Sequence, residues 1–190
     1  DLVIRTKVPS MVEKWGDDYA LLGPYFPQTA AAEFEPVQVT EDTPLERAIL
    51  QLRKAGLGVH YGYWLITGKP KIVLFELDSL LQEVDAIKGR IWDNHKISTL
   101  GVEDLVNQTI VFGEMIRLLL TEVAEENKNK TQLVAHFHEW MASTGLPDLK
   151  KDKVKISTVF TTHATMLGRY LAGNVPNFYD VIENFDWHKE

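Results

Sequence analysis

The chain has 190 residues, of which 45% are hydrophobic and 25% charged, with a formal net charge of −7, a pI of about 5.4 and no cysteine. That length carries one domain with a full hydrophobic core. The acidic balance, interrupted only by "KNK" and "KKDKVK", argues against nucleic acid as the main partner, because phosphate binding needs a basic face. The absence of cysteine excludes a disulfide framework, a thiolate nucleophile and thiolate zinc ligands, and cytoplasm is the default compartment. No apolar run approaches the ~18 residues of a membrane-spanning helix, and no signal peptide is recognisable, so a membrane partner is not expected. The chain opens on "DLVIRTK" and closes on "ENFDWHKE" in mid-pattern; a single domain over 1–190, truncated at both ends, is expected.

In chain order, Val8, Met11, Val12 and Trp15 fall at helical spacing and end at Gly16. "YALLG" (19–23) predicts a short strand stopped by Gly-Pro, and "FEPVQV" (34–39) alternates weakly enough for an edge strand. "TPLE" (43–46) predicts a helix start: Thr43 as N-cap, Pro44 in the first turn and Glu46 completing a capping box. Leu45, Ala48, Ile49 and Leu52 make its apolar stripe, and Gly56 its stop. "VHYGYWLI" (59–66) and "KIVLFEL" (71–77), joined by "TGKP", predict two antiparallel strands. Ser79 can cap a helix running to about Lys88. The longest helix is predicted over 102–126, with "EENKNKT" as a solvated loop after it. The last third then reads strand ("QLVAHFH"), helix ("EWMASTGLPDLKK"), strand ("VKISTVFTT"), helix ("ATMLGRYLAG").

Strand–helix–strand with short joints means a βαβ unit and parallel neighbours. The strands are nearly all apolar, as when both faces are covered. The expected fold class is therefore α/β, a three-layer domain with a mostly parallel sheet. In such sheets ligands bind outside the carboxyl ends of the strands. His138 closes one predicted strand and His163 the next, which puts both at one rim. His136 and His138 are two residues apart and share a face if the strand reaches that far. The helix expected from about Ala164 turns its N-terminal N–H groups to the same rim, where an anion is favoured. Arg169, a turn and a half into that helix, can reach an anionic ligand with both guanidinium arms.

Blander readings compete. A strand-end histidine is often a hydrogen-bonded, partly buried side chain, and Trp140 and Met141 read as core. H-x-H with a third histidine could also ligate zinc in a metal hydrolase, although no further His/Asp cluster follows at strand ends. No G-x-S-x-G elbow supports a serine triad.

The strings "VAHFHEWMA", "VFTTHATMLGRYL" and "NFYDVIENF", with "KWGDDYALLGPYF", "VHYGYWLITGKPKIVLFEL" and "KGRIW" before them in the same order, closely resemble the glycogen synthases of the fungal and animal type, a retaining glucosyltransferase family. The resemblance covers nearly the whole chain. It implies the N-terminal half of a GT-B fold, two Rossmann-like domains facing across a cleft, with the C-terminal domain absent here. It implies transfer of glucose from UDP-glucose to the non-reducing end of an α-1,4-glucan (glycogen) with retention of configuration. No cofactor and no metal are implied, and a homo-oligomeric full-length enzyme is compatible with it. By the same resemblance His163 lies beside the donor glucose as the catalytic-site histidine, Arg169 contacts UDP-glucose, and His136, His138 and Glu139 form the acceptor-side rim. The glycine-rich loop that approaches the donor in the family is missing, Ser143 stands where the family has Gly, and Tyr63 where it has Arg. The alternative is a glucan- or partner-binding domain with no chemistry of its own.

Overall fold

The computed structural model describes residues 2–128 and 131–184. The expected loop at 125–131 lies partly outside them, as do the ends of the expected 1–190 domain. The predicted hairpin is present: β3 (Val59–Trp64) and β4 (Lys71–Phe75) pair antiparallel, with Gly68 (φ 93°) and Lys69 (φ 41°) turning the chain in the left-handed region. β1 (Ala20–Pro24) pairs parallel with β4, and β2 (Phe34–Pro36) antiparallel with β3, giving the order β1-β4-β3-β2. β2 is shorter than the 34–39 run because Pro36 has no N–H to offer a ladder. Gly62 sits opposite Pro36, and a Cβ there would lie 2.0 Å from the Glu35 carbonyl oxygen.

Helices lie on both faces of this sheet. On one side, Val59, Tyr61, Val73 and Phe75 pack with α3 (Pro44–Lys54), α5 (Val84–His95) and α6 (Asp104–Glu126) in one hydrophobic cluster. On the other, Leu21, Ile72 and Leu74 face α1 (Leu2–Trp15) and α2 (Pro27–Glu33) across an apolar cavity of about 430 Å³. The class is α/β, as expected.

α3 starts with the predicted capping box: the Thr43 hydroxyl accepts from the Glu46 N–H at 3.2 Å, and the Glu46 carboxylate accepts from the Thr43 N–H at 3.1 Å. Ala48, Ile49 and Leu52 are buried from its stripe. The helix expected from Ser79 to Lys88 is instead two. In α4 (Asp78–Leu81) the Ser79 hydroxyl donates to the Glu76 carbonyl and does not cap. α5 runs on to His95 because Ile87 and Ile91, four apart, are both buried; it ends at Lys96 in the left-handed region (φ 59°). α2 was not anticipated from the pattern. Pro27 in its first turn and three alanines form it without an apolar stripe, and of its residues Ala30 is buried.

The last third is the predicted βαβ unit. β5 (Val134–His138) and β6 (Ser157–Thr161) form a two-stranded parallel sheet with Phe137 opposite Phe160. α7 (Leu146–Lys151) connects them, and α8 (Met166–Asn174) and α9 (Phe178–Val181) follow. The helix expected over "EWMASTGLPDLKK" is broken. Glu139 turns to φ 64°, a single 3₁₀ turn covers Trp140–Ala142, and α7 begins only where Pro147 can occupy a first turn.

Two devices seat α7. Gly113 of α6 and Gly145 meet backbone to backbone: a Cβ on Gly113 would lie 1.9 Å from the Thr144 hydroxyl and 2.7 Å from the Gly145 nitrogen. Beside this, Asp148 is 4% exposed and accepts from Arg90 (3.0 Å) and Asn94 (3.0 Å), with His95 at 2.7 Å, all on α5. Arg90 also grips Glu114 of α6, which Arg117 holds from the other side at 2.8 Å. Burial opposes ionisation of Asp148, but these hydrogen bonds and the Arg90 charge outweigh it and hold the carboxyl down at about 2. No helix among the described residues is long and apolar enough to cross a membrane.

Candidate functional site at the carboxyl rim of β5 and β6

The alternation of β5 sends Phe137 into the core, 4% exposed, and leaves His136 and His138 together on the other face. Their rings stack at 4.1 Å between centroids. His138 is the last residue of β5. His163, however, does not close β6: the strand ends at Thr161, and His163 sits in the bend beyond it. The reason is local. The Glu139 carboxylate takes the His163 N–H at 2.6 Å and the Thr162 hydroxyl at 3.1 Å, so these residues leave the ladder and fold over the rim. The His163 ring still lies nearly parallel to that of His138, at 6.2 Å and 9°.

Glu139 is the joint of this arrangement. Its φ of 64° and ψ of 167° lie in a region populated almost entirely by glycine. Four contacts hold it there: its N–H donates to the Thr161 carbonyl (2.9 Å), its carbonyl accepts from the Ser143 hydroxyl (2.8 Å), and its two carboxylate oxygens carry the bonds just described. The His163 N–H lowers its pKa most, helped by Thr162 and by the charges of His163 and Arg169. Ser143 thus supports the turn, with φ −110° that needs no glycine.

α8 begins at Met166, two residues after Ala164, because Thr165 is the N-cap and its hydroxyl accepts from the Gly168 N–H at 2.9 Å. Arg169 is therefore on the first turn of α8, exposed, and near enough to act on Glu139. Two of the imidazoles, His136 and His138, are pushed toward the neutral form. Desolvation lowers the pKa of His136, and the Lys7 charge adds to it. His138 is lowered by desolvation first, then by His136, Lys7 and His163. The rings stack and do not converge on one point; among the described residues no group of three His, Asp or Glu is arranged to hold a metal ion. His138 Nδ1 is buried with no hydrogen-bond partner in the structure.

His136, His138, Glu139 and His163 are thus brought together, with Arg169 beside them. Sequence reasoning missed Lys7, whose ammonium lies 3.1 Å from His136 Nδ1 although 129 positions separate the two residues. It also missed Thr161, whose hydroxyl is 2.8 Å from His136 Nε2. No spacing rule links a lysine on α1 to the middle of a strand so far along the chain. The rim offers, in one place, neutral imidazoles, a carboxylate, two cations and the N-terminus of α8. It can stabilise positive charge on one side of a bound molecule and negative charge on the other. The apolar cavity over β1 and β4 is lined by none of these residues.

The chain is 44% identical over 183 residues to a glycogen [starch] synthase of Dictyostelium discoideum, covering 95% of this chain and 20% of that protein. It is 38% identical over 188 residues to the liver glycogen [starch] synthase of Mus musculus (99% and 26%) and 36% identical over 184 residues to a glycogen [starch] synthase of Neurospora crassa (97% and 26%). The chain therefore spans a fifth to a quarter of the length of these relatives. The glycogen synthase family model matches residues 2–190, and the chain belongs to that family.

Proposed function

We propose that this chain is the acceptor-side, N-terminal Rossmann-like part of a cytoplasmic GT-B glucosyltransferase. The enzyme transfers glucose from UDP-glucose to the non-reducing end of an α-1,4-glucan with retention of configuration. The observation that carries this reading is the convergence of His136, His138, Glu139 and His163 at the carboxyl ends of β5 and β6, with Arg169 on the first turn of α8.

Breaking the bond from the anomeric carbon to phosphate builds positive charge on the sugar and negative charge on the departing diphosphate. Fixed dipoles and charges at the rim stabilise both without reorganising. His163 serves the sugar side: its imidazole and the backbone carbonyl beside it face the developing positive charge. Arg169 and the α8 N-terminus serve the diphosphate side. Glu139 does not need to touch the sugar to matter, since its carboxylate fixes where His163 stands. A second domain closing over this rim would exclude water and strengthen these interactions.

Steady-state kinetics of the full-length enzyme test the assignment. His163→Ala should lower kcat by ~10²–10³ with little change in KM for UDP-glucose, because its interaction grows in the transition state. Arg169→Ala should raise KM as well as lower kcat, since the phosphates are charged before the bond breaks. A kcat for His163→Ala within a few-fold of the parent would remove this histidine from the reacting centre.

A further inference from the structure

The contact between α1 and β5 fixes more than distance. A lysine ammonium has three N–H donors and no acceptor, so a ring nitrogen 3.1 Å from Lys7 Nζ must present its lone pair. That nitrogen is Nδ1 of His136. The ring proton is then on Nε2, which lies 2.8 Å from the Thr161 hydroxyl oxygen and donates to it. A doubly protonated ring would set two cations against each other at this contact, so the geometry fits the neutral ring alone.

Thr161 is the last residue of β6, and its carbonyl accepts from the Glu139 N–H. It is thus held on one side by His136 and on the other by the residue that takes the His163 N–H. The groups facing His136 are Lys7 from α1, His138 on its own strand, and beyond that ring His163 and Glu139.

We propose that Lys7 is a positioning residue of the rim: its ammonium holds His136 as the neutral, Nε2-protonated tautomer, and that ring fixes Thr161 and the His163 bend that follows it. The catalytic consequence rests on the reading of this rim as the glucosyl-transfer site. The tautomer does not.

Nitrogen NMR of the histidine rings in this chain reads the tautomer directly, in the parent, Lys7→Met and Lys7→Arg. In the parent His136 should show an unprotonated Nδ1 and a protonated Nε2 at neutral pH. In Lys7→Met it should become a tautomer mixture and titrate at higher pH, as the neighbouring cation is gone. Lys7→Arg, whose guanidinium is also donor-only, should restore the parent pattern. In the full-length enzyme Lys7→Met should lower kcat about tenfold, below the ~10² that a misplaced reacting group costs, with KM nearly unchanged and Lys7→Arg rescuing it. An unchanged His136 tautomer and titration in Lys7→Met overturns the inference whatever the site binds. An altered tautomer with parental kcat, while His163→Ala remains impaired, overturns the positioning role. If His163→Ala is also unimpaired, it is the proposed function that falls.

Discussion

Asp148 ties the βαβ connection to the rest of the core, and its charge can be removed without changing its shape. The carboxyl is 4% exposed and is held from an ordinary 3.8 to about 2 by Asn94, His95 and Arg90 against the opposing effect of burial. At ~1.4 kcal/mol per tenfold change in proton affinity, that lowering is worth about 2 kcal/mol of folding stability. The sign follows from linkage. The folded state prefers the carboxylate more than the unfolded chain does, so the stabilisation is complete above pH ~4 and is lost as pH falls through the folded value near 2.

Asp148→Asn keeps the side-chain shape, removes the charge and replaces one accepting oxygen by an NH2 that cannot accept. Urea unfolding of parent and variant should differ by ~2–3 kcal/mol at neutral pH, the upper part of the range reflecting Arg90 and His95 left with one partner fewer. Subtracting the two curves cancels the titrating groups that are not coupled to Asp148. The difference should shrink between pH ~4 and ~2 and nearly vanish at the lower end. A difference that is absent at neutral pH, or that persists unchanged to pH 2, would refute the claim that the charge of Asp148 seats α7.

Gly113→Ala should destabilise the fold by ~1–3 kcal/mol in the same assay, since the new methyl meets the Gly145 backbone nitrogen, which cannot rotate away. Parental stability would mean that α6 and the turn before α7 can separate freely. At Glu139 two substitutions separate strain from bonding: both Glu139→Ala and Glu139→Gly lose the carboxylate contacts, but glycine alone relieves φ 64°. Glu139→Gly should therefore be the more stable of the two by ~1–2 kcal/mol, and equal stabilities would show that the backbone is unstrained there.

What the sequence disclosed was what local physics decides. The capping box of α3 was legible because Thr43 and Glu46 are three residues apart and bond to each other's backbone. The β3–β4 hairpin was legible from two apolar runs around "TGKP". The parallel pairing of β5 with β6 followed from the short helix between them. The shared face of His136 and His138 followed from the period of a strand. Where the reading failed, a distant partner had overruled the local pattern. α5 extends past Lys88 because Ile87 and Ile91, four apart, both have a core to enter. Lys7 meets His136 only once the chain has folded α1 across to β5.

The break after His138 is the most informative of these failures. From composition, "EWMASTGLPDLKK" is an acceptable helix, and a glutamate is among the better helix formers. In the folded chain that glutamate holds a glycine-like conformation, and the helix is delayed to Leu146. A continuous helix from Glu139 would leave its carboxylate on the helix surface. The His163 N–H would then stay available to the strand ladder, and β6 could continue past Thr161. The strained turn instead frees the Glu139 side chain to reach across to the next strand end and pull His163 over the rim. Local preference and global fold disagree at this residue, and such disagreements are expected where a protein gives up stability for the placement of a functional group. The strain at Glu139 thus adds to the stacked imidazoles in support of the proposal that the working end of this domain is the carboxyl edge of β5 and β6.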